Sequence, residues 1–221
     1  MSRPSSQRPR RPATPPPDDL EPYPHDRFDP ALGHHDGIHF EGTDFSGVHA
    51  EGGAFLECVL TDAALDDAHL EGSRWSESRW ERVHGAGLAL QEGALADTTF
   101  DGCRLAAVSA WGASWRDVTV VGGKVDFLNL RGAALRDVAF VDCVVTELDL
   151  QETTVDGLTF EGCTLVAPEF GRGRYARLDL SGAQLREPRG LAGLRGATLS
   201  RGQVIELADA LASELGIVVA D

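Results

Sequence analysis

The sequence predicts an all-β solenoid, a chain that winds repeatedly around one hydrophobic axis. Three observations predict it, and they share a beat of five residues. From Phe40 to Leu185 every fifth residue is a large apolar anchor (Phe40, Phe45, Phe55, Leu60, Leu65 and onward), broken only at Ala50, Gly85 and Ala110. Two places before each anchor stands an uncharged and mostly small residue, from Ile38, Thr43 and Val48 to Ala183, although 25% of the chain is charged. Two places after it, twelve of thirty positions are Gly and twelve are Asp or Glu. A period of five fits neither the about 3.6 of a helix nor the about 2 of a strand. The chain must therefore turn a corner every five residues.

In chain order, the first element precedes the repeat. Residues 1–36 open with MSRPSSQRPRRPATPPPDDLEPYP, rich in Pro, Arg and Ser. Such a composition has too little apolar surface to fold, and predicts a disordered, Pro/Arg-rich segment and linker. No apolar h-region is present, so it does not read as a secretory leader. Arg8, Arg10 and Arg11 are soon offset by Asp18, Asp19 and Glu21, which weighs against a nucleic-acid tail. His34 and His35 fall in the linker, and Tyr23, Phe28 and Leu32 are available to cover the first coil.

The second element, residues 37–190, is the repeat itself. Each unit reads small-inward, polar-outward, large-inward, then two corner residues. A small residue beside each large one lets the anchors fill the axis. Glycine accepts the positive φ of a tight corner, and a carboxylate there can sit in water. All four cysteines (Cys58, Cys103, Cys143 and Cys163) fall on the small inward position. They read as buried, reduced thiols, and point to a cytoplasmic home. Trp111 and Phe127 fall on outward and corner positions, where they are either exposed anchors for a partner or buried by a bulge.

An interior filled by its own side chains leaves no cavity for a substrate. No nucleophile elbow or phosphate-cradling loop appears, so neither an enzyme nor a cofactor is expected. No stretch approaches eighteen apolar residues, so no membrane-spanning helix is expected.

Units such as Ala133-Ala134-Leu135-Arg136-Asp137, Leu148-Asp149-Leu150-Gln151-Glu152 and Ala183-Gln184-Leu185-Arg186-Glu187 resemble the motif of pentapeptide-repeat proteins, centred on Leu or Phe with a small residue two places earlier. The resemblance covers residues 37–187, although the polar position is loose and often Thr, Arg, Ala or His. It implies a right-handed quadrilateral β-helix with four units per coil, about 7.5 coils and roughly 36 Å long at the ~4.8 Å spacing of strands.

Four units per coil would stack residues twenty apart. Glu57, Glu77, Asp97, Asp117 and Asp137 then form one corner column, about 19 Å long. Net charge is −15, and residues 37–187 hold 25 acids against 12 bases. Arg172, Arg174, Arg177, Arg186 and Arg189 form a basic patch late in the chain. Stacked like charges cost stability. One reading of the column is a solvated corner, screened beyond ~8 Å. The other is a phosphate-like ladder that fits a basic groove on a partner. His49 and His69 are also one coil apart, but no third metal ligand is evident from the sequence, so they read as surface residues. Cys143 and Cys163 share a face too, without the CxxC spacing that would support a metal or disulfide pair.

The resemblance extends to the mycobacterial fluoroquinolone-resistance and Qnr types, acidic β-helices that imitate DNA and bind gyrase or topoisomerase IV. It implies a protein partner, a type II topoisomerase, and no direct binding of nucleic acid or membrane. The rival expectation is a generic interaction scaffold or self-resistance factor with a different partner.

The last element, residues 191–221, begins where the beat fails, with Gly190 and Arg195 at the next two anchor positions. Ser200 suits a helix N-cap and Gly216 a C-terminal stop. Val204, Leu207, Ala208, Leu211 and Leu215 make an apolar stripe. An open solenoid end exposes strand edges, so this helix is expected to cap it. Leu211 and Leu215 would face the core, and Ile205 and Val218 a second chain. The ending is similar to that of the mycobacterial type, whose C-terminal region dimerises, and so implies a homodimer.

Overall fold

The computed structural model describes residues 20–219; Arg8, Arg10 and Arg11, and with them most of the expected disordered segment, lie outside them. One parallel sheet of 19 strands wraps into a β-solenoid of about eight turns. Its register is the expected twenty residues. Phe40, Leu60, Trp80, Phe100, Val120, Phe140 and Phe160 stand opposite one another on successive coils. Phe55, Trp75, Leu95, Trp115, Leu135 and Val155 form the next row. These anchors are buried, and aromatic pairs stack along the axis: Phe55 on Trp75 at 3.8 Å, Phe140 on Phe160 at 5.0 Å. Stacking at such distances adds to the gain from burying large apolar area.

The small inward row explains its own composition. A buried hydroxyl is costly unless it finds a partner. Here the backbone carbonyls supply one. Thr98 Oγ1 donates to the Ala96 carbonyl at 2.9 Å, Thr153 Oγ1 to that of Leu130 at 2.9 Å, and Ser78 Oγ to that of Ser76 at 2.8 Å. The four cysteines in this row are free and buried. Burial pushes the thiols of Cys58 and Cys103 up to about 11 and about 12.

Corners fall two residues past the anchors, and most are left-handed. Thirteen residues other than glycine have φ between 48° and 60°; all occupy this position, and all are acids except Arg82 and Arg177. One corner column departs from the rule over its middle coils, although Gly47, Asp67, Gly87 and Glu187 in the same column keep it. Ala107, Phe127 and Glu147 do not take positive φ, and unbroken strands run past them over Arg104–Ser109, Lys124–Asn129 and Val144–Asp149. A bulky side chain such as Phe127 avoids the left-handed region, so the strand continues through the bend and turns that side chain outward. Phe127 is 39% and Trp111 43% exposed, which decides between the two alternatives the sequence left open.

The solenoid begins earlier than the five-residue beat suggests. Glu21 and Pro22 pair in parallel with Ile38 and His39, and Arg27 bridges to Asp44. The offset here is seventeen residues rather than twenty, so this partial coil hides from the repeat. Tyr23 lies 4.8 Å from Phe40, and Phe28 stacks on Phe45 at 4.3 Å. The side chain of Leu32 lies outside the description. His35 is not linker but core: it takes an anchor position, is 5% exposed, and stacks on Phe55 at 5.0 Å.

At the other end the coil gives way to a 3-10 turn, Leu191–Leu194, whose two leucines are buried. Two short helices follow, α1 (Arg201–Glu206) and α2 (Ala208–Glu214). No helix among the described residues is long and apolar enough to cross a membrane.

Candidate functional site

The corner column assembles from backbone first. Leu56, Ser76, Ala96, Arg116 and Arg136 pair in register on five successive coils. The next residue on each is one of the five expected acids, and the first four corner amides are tied to the coil that follows. Glu57 N–H donates to the Ser76 carbonyl, Glu77 to Ala96, Asp97 to Arg116 and Asp117 to Arg136, each at 3.0 Å. Carboxylates therefore recur at the ~4.8 Å inter-strand spacing.

All five are left-handed, with φ of 50° at Glu57, 51° at Glu77, 49° at Asp97, 53° at Asp117 and 52° at Asp137. A left-handed residue with a Cβ costs roughly 1–2 kcal/mol. Glycine takes the same corner with positive φ at Gly37 above the column and Gly157 below it. The fold thus accepts the residue without strain at this corner, and the five carboxylates carry both backbone strain and mutual repulsion.

Charge along the column is unevenly compensated. Arg116 reaches Asp97 at 3.7 Å and Arg136 reaches Asp137 at 3.7 Å. Among the described residues no salt bridge engages Glu57, Glu77 or Asp117. Arg177 closes the lower end. Its guanidinium donates to Asp137 Oδ1 at 3.1 Å and to Asp156 Oδ1 at 2.7 Å. The Asp156 and Asp137 carboxylates hold it above its usual range. That reach crosses Gly157, where a Cβ would come within 3.0 Å of Nη2 of Arg177. Sequence reasoning counted Arg177 in a basic patch; its position two coils below Asp137 is the signal that would have moved it into the column.

The C-terminal residues divide differently from expectation. Leu207 is buried and Leu211 packs against the core, but Leu215 is 76% exposed. The helix breaks at Leu207, which caps both α1 and α2, and so its inward stripe ends at Leu211. Ile205 and Val218 stand exposed at 68% and 92%. The stripe begins at Gln203, which the apolar pattern passed over. Ser200 and Gln203 form a reciprocal capping box. The Gln203 Nε2 donates at 2.7 Å to the carbonyls of both Leu180 and Ala183. One buried amide thus satisfies the edge of the last coil.

No family model matches the chain, and no curated protein matches it. Among solved structures, a trypsin-treated variant of QnrB1, a plasmid-mediated fluoroquinolone resistance protein, is 15% identical, over 88% of this chain and 95% of its own, at a TM-score of 0.32. HetL, a pentapeptide-repeat protein involved in heterocyst differentiation regulation from the cyanobacterium Nostoc, is 14% identical, over 76% of this chain and 91% of its own, at a TM-score of 0.26. At those scores the likeness carries no argument, and the fold stands on the register of its own ladders.

Proposed function

We propose that this chain is a non-enzymatic acidic binding protein of the cytoplasm. Its corner column occupies a basic, DNA-binding groove of a type II topoisomerase such as DNA gyrase. In that position it modulates the enzyme or protects it from quinolone-like inhibitors. The observation that carries the reading is that five successive coils put a carboxylate on a corner where glycine serves above and below. Residues kept against strain and repulsion point to a role outside the fold. A ladder of like charge steers association with a groove of opposite sign and raises the on-rate. The exposed Ile205, Leu215 and Val218 suit a homodimer through the C-terminal helices, which would double the length of charge presented.

DNA supercoiling by purified gyrase, with and without this protein across a salt series, tests the reading. Inhibition that fades as salt rises is the expected result, because screening weakens a charge-led contact. A second reading, a scaffold for some other protein, draws on the exposed Trp111 and Phe127, which lie away from the column and suit an apolar contact. Supercoiling unaffected at every salt concentration would leave that reading in front.

A further inference from the structure

The third metal donor that two histidines alone did not reveal is Glu51. In each strand the residues before and after an anchor both point outward. His49 and Glu51 therefore flank Ala50 on one outer face, and His69 and Glu71 flank Leu70 on the same face one coil later. His-x-Glu thus recurs at the coil period.

The two strands bridge at His49 and His69, and the rings stack at 4.3 Å with only 4° between their planes. His49 Nδ1 lies 2.8 Å from Glu51 Oε1, and His69 Nδ1 lies 3.3 Å from Glu71 Oε1. The donor atoms of His49, Glu51 and His69 all fall within 4.8 Å of one another. We propose that His49, Glu51 and His69 form a binding site for a divalent first-row transition cation of the zinc type, with Glu71 as supporting or fourth ligand.

The donor chemistry selects that class. Imidazole nitrogen with carboxylate oxygen suits zinc-like ions, whereas magnesium and calcium prefer oxygen throughout. Tetrahedral zinc with bonds of about 2.0–2.1 Å needs ligand atoms roughly 3.3 Å apart, so the donors must close by no more than about 1.5 Å. Side chains that are 66% exposed at His49, 49% at Glu51 and 41% at His69 have room to do so. Each neutral imidazole would offer the lone pair of one ring nitrogen to the cation and keep its N–H on the other nitrogen.

A separate observation points to a ligand here. Glu71 Oε2 is buried with no hydrogen-bond partner, a costly state for a carboxylate oxygen. Nor is a competing side-chain ammonium or guanidinium at hand in this stretch: residues 37–73 hold eight acids and no Lys or Arg. A bound cation would relieve the repulsion between the stacked Glu51 and Glu71 and fasten two coils together.

The test is calorimetric titration of the full-length, EDTA-stripped chain with zinc chloride, repeated with magnesium chloride. One zinc per chain is expected, with no magnesium uptake at the same site. His69→Ala should weaken zinc binding at least tenfold and Glu51→Gln about tenfold, while His84→Ala, on another face, should leave it unchanged. Excess zinc should also raise the melting temperature of the parent chain, and not that of His69→Ala. Melting each metal-free variant separates loss of the site from loss of the fold. Absence of stoichiometric zinc binding, binding that survives both His49→Ala and His69→Ala, or equal uptake of magnesium would overturn the proposal.

Discussion

His35 shows how much one side chain can decide. It occupies an anchor position that elsewhere in its row belongs to Phe55, Trp75 and Leu95, yet its Nε2 is buried and unpartnered. Burial, and then the neighbouring His34, lower its pKa from 6.5. Below the unfolded value of about 6.5 the unfolded chain binds the proton more readily, so acid favours unfolding. The contribution of His35 is intact above that value and is lost as pH falls toward and through the lower folded value. We expect His35→Phe to keep the ring stack and remove the titration. The gap between variant and parent melting temperatures should widen from pH 7.5 to 5.5, and parallel curves would refute this. Arg177 is the second decisive residue. Its pairs with Asp137 and Asp156 lie at the surface, where such bridges contribute about 0–1 kcal/mol. Arg177→Gln should therefore hardly change the melt but should expose more of the acidic column, strengthening topoisomerase binding severalfold. Weaker binding in a titration would show that Arg177 is itself a contact.

At the scale of elements, the repeat was legible except in its last coil, where Glu161 pairs with Gly182 twenty-one residues on rather than twenty, and the two ends were not. Thirty units share one spacing, so anchors, small inward residues and corners could be read together from the chain. The N-terminal coil escaped because Tyr23 and Phe28 sit seventeen residues, not twenty, from the residues they cover. The cap was half legible: Ser200 and Gly216 marked its limits, but the buried face is led by a polar residue, Gln203. An apolar stripe cannot reveal an amide whose task is to satisfy carbonyls. Gln203→Ala would strand the carbonyls of Leu180 and Ala183, and each unsatisfied buried group costs about 1–3 kcal/mol. A loss of about 2–6 kcal/mol is therefore expected in a denaturant melt. Leu215→Asp, at an exposed site, should leave that melt unchanged and abolish any dimer seen by sedimentation.

For the whole molecule, the column was legible as a spacing but not as a conformation. Gly37 and Gly157, twenty residues above and below it, could be read with the spacing, but the left-handed corners needed the folded chain. They sharpen the expected outcome of neutralising all five acids, Glu to Gln and Asp to Asn. Asn accepts the left-handed region at least as well as Asp, and repulsion between coils disappears. Thermal stability should hold or rise, while topoisomerase affinity falls at least tenfold; both are read from a melt and a binding titration. Affinity that does not change would mean the corner is only solvated surface.

The constant register has a further consequence, for how the molecule comes into being. Nearly every strand rests on the chain made twenty residues before it, so each coil asks for a loop closure of the same modest size. The order of assembly is then set by where the first coils can hold together unaided. That is the end where Tyr23, Phe28, His35, Phe40, Phe45 and Phe55 crowd into one aromatic knot. This end also leaves the ribosome first. Folding can thus keep pace with synthesis, each new coil growing on a template already formed, and the cap arriving last to close a rod that is otherwise complete.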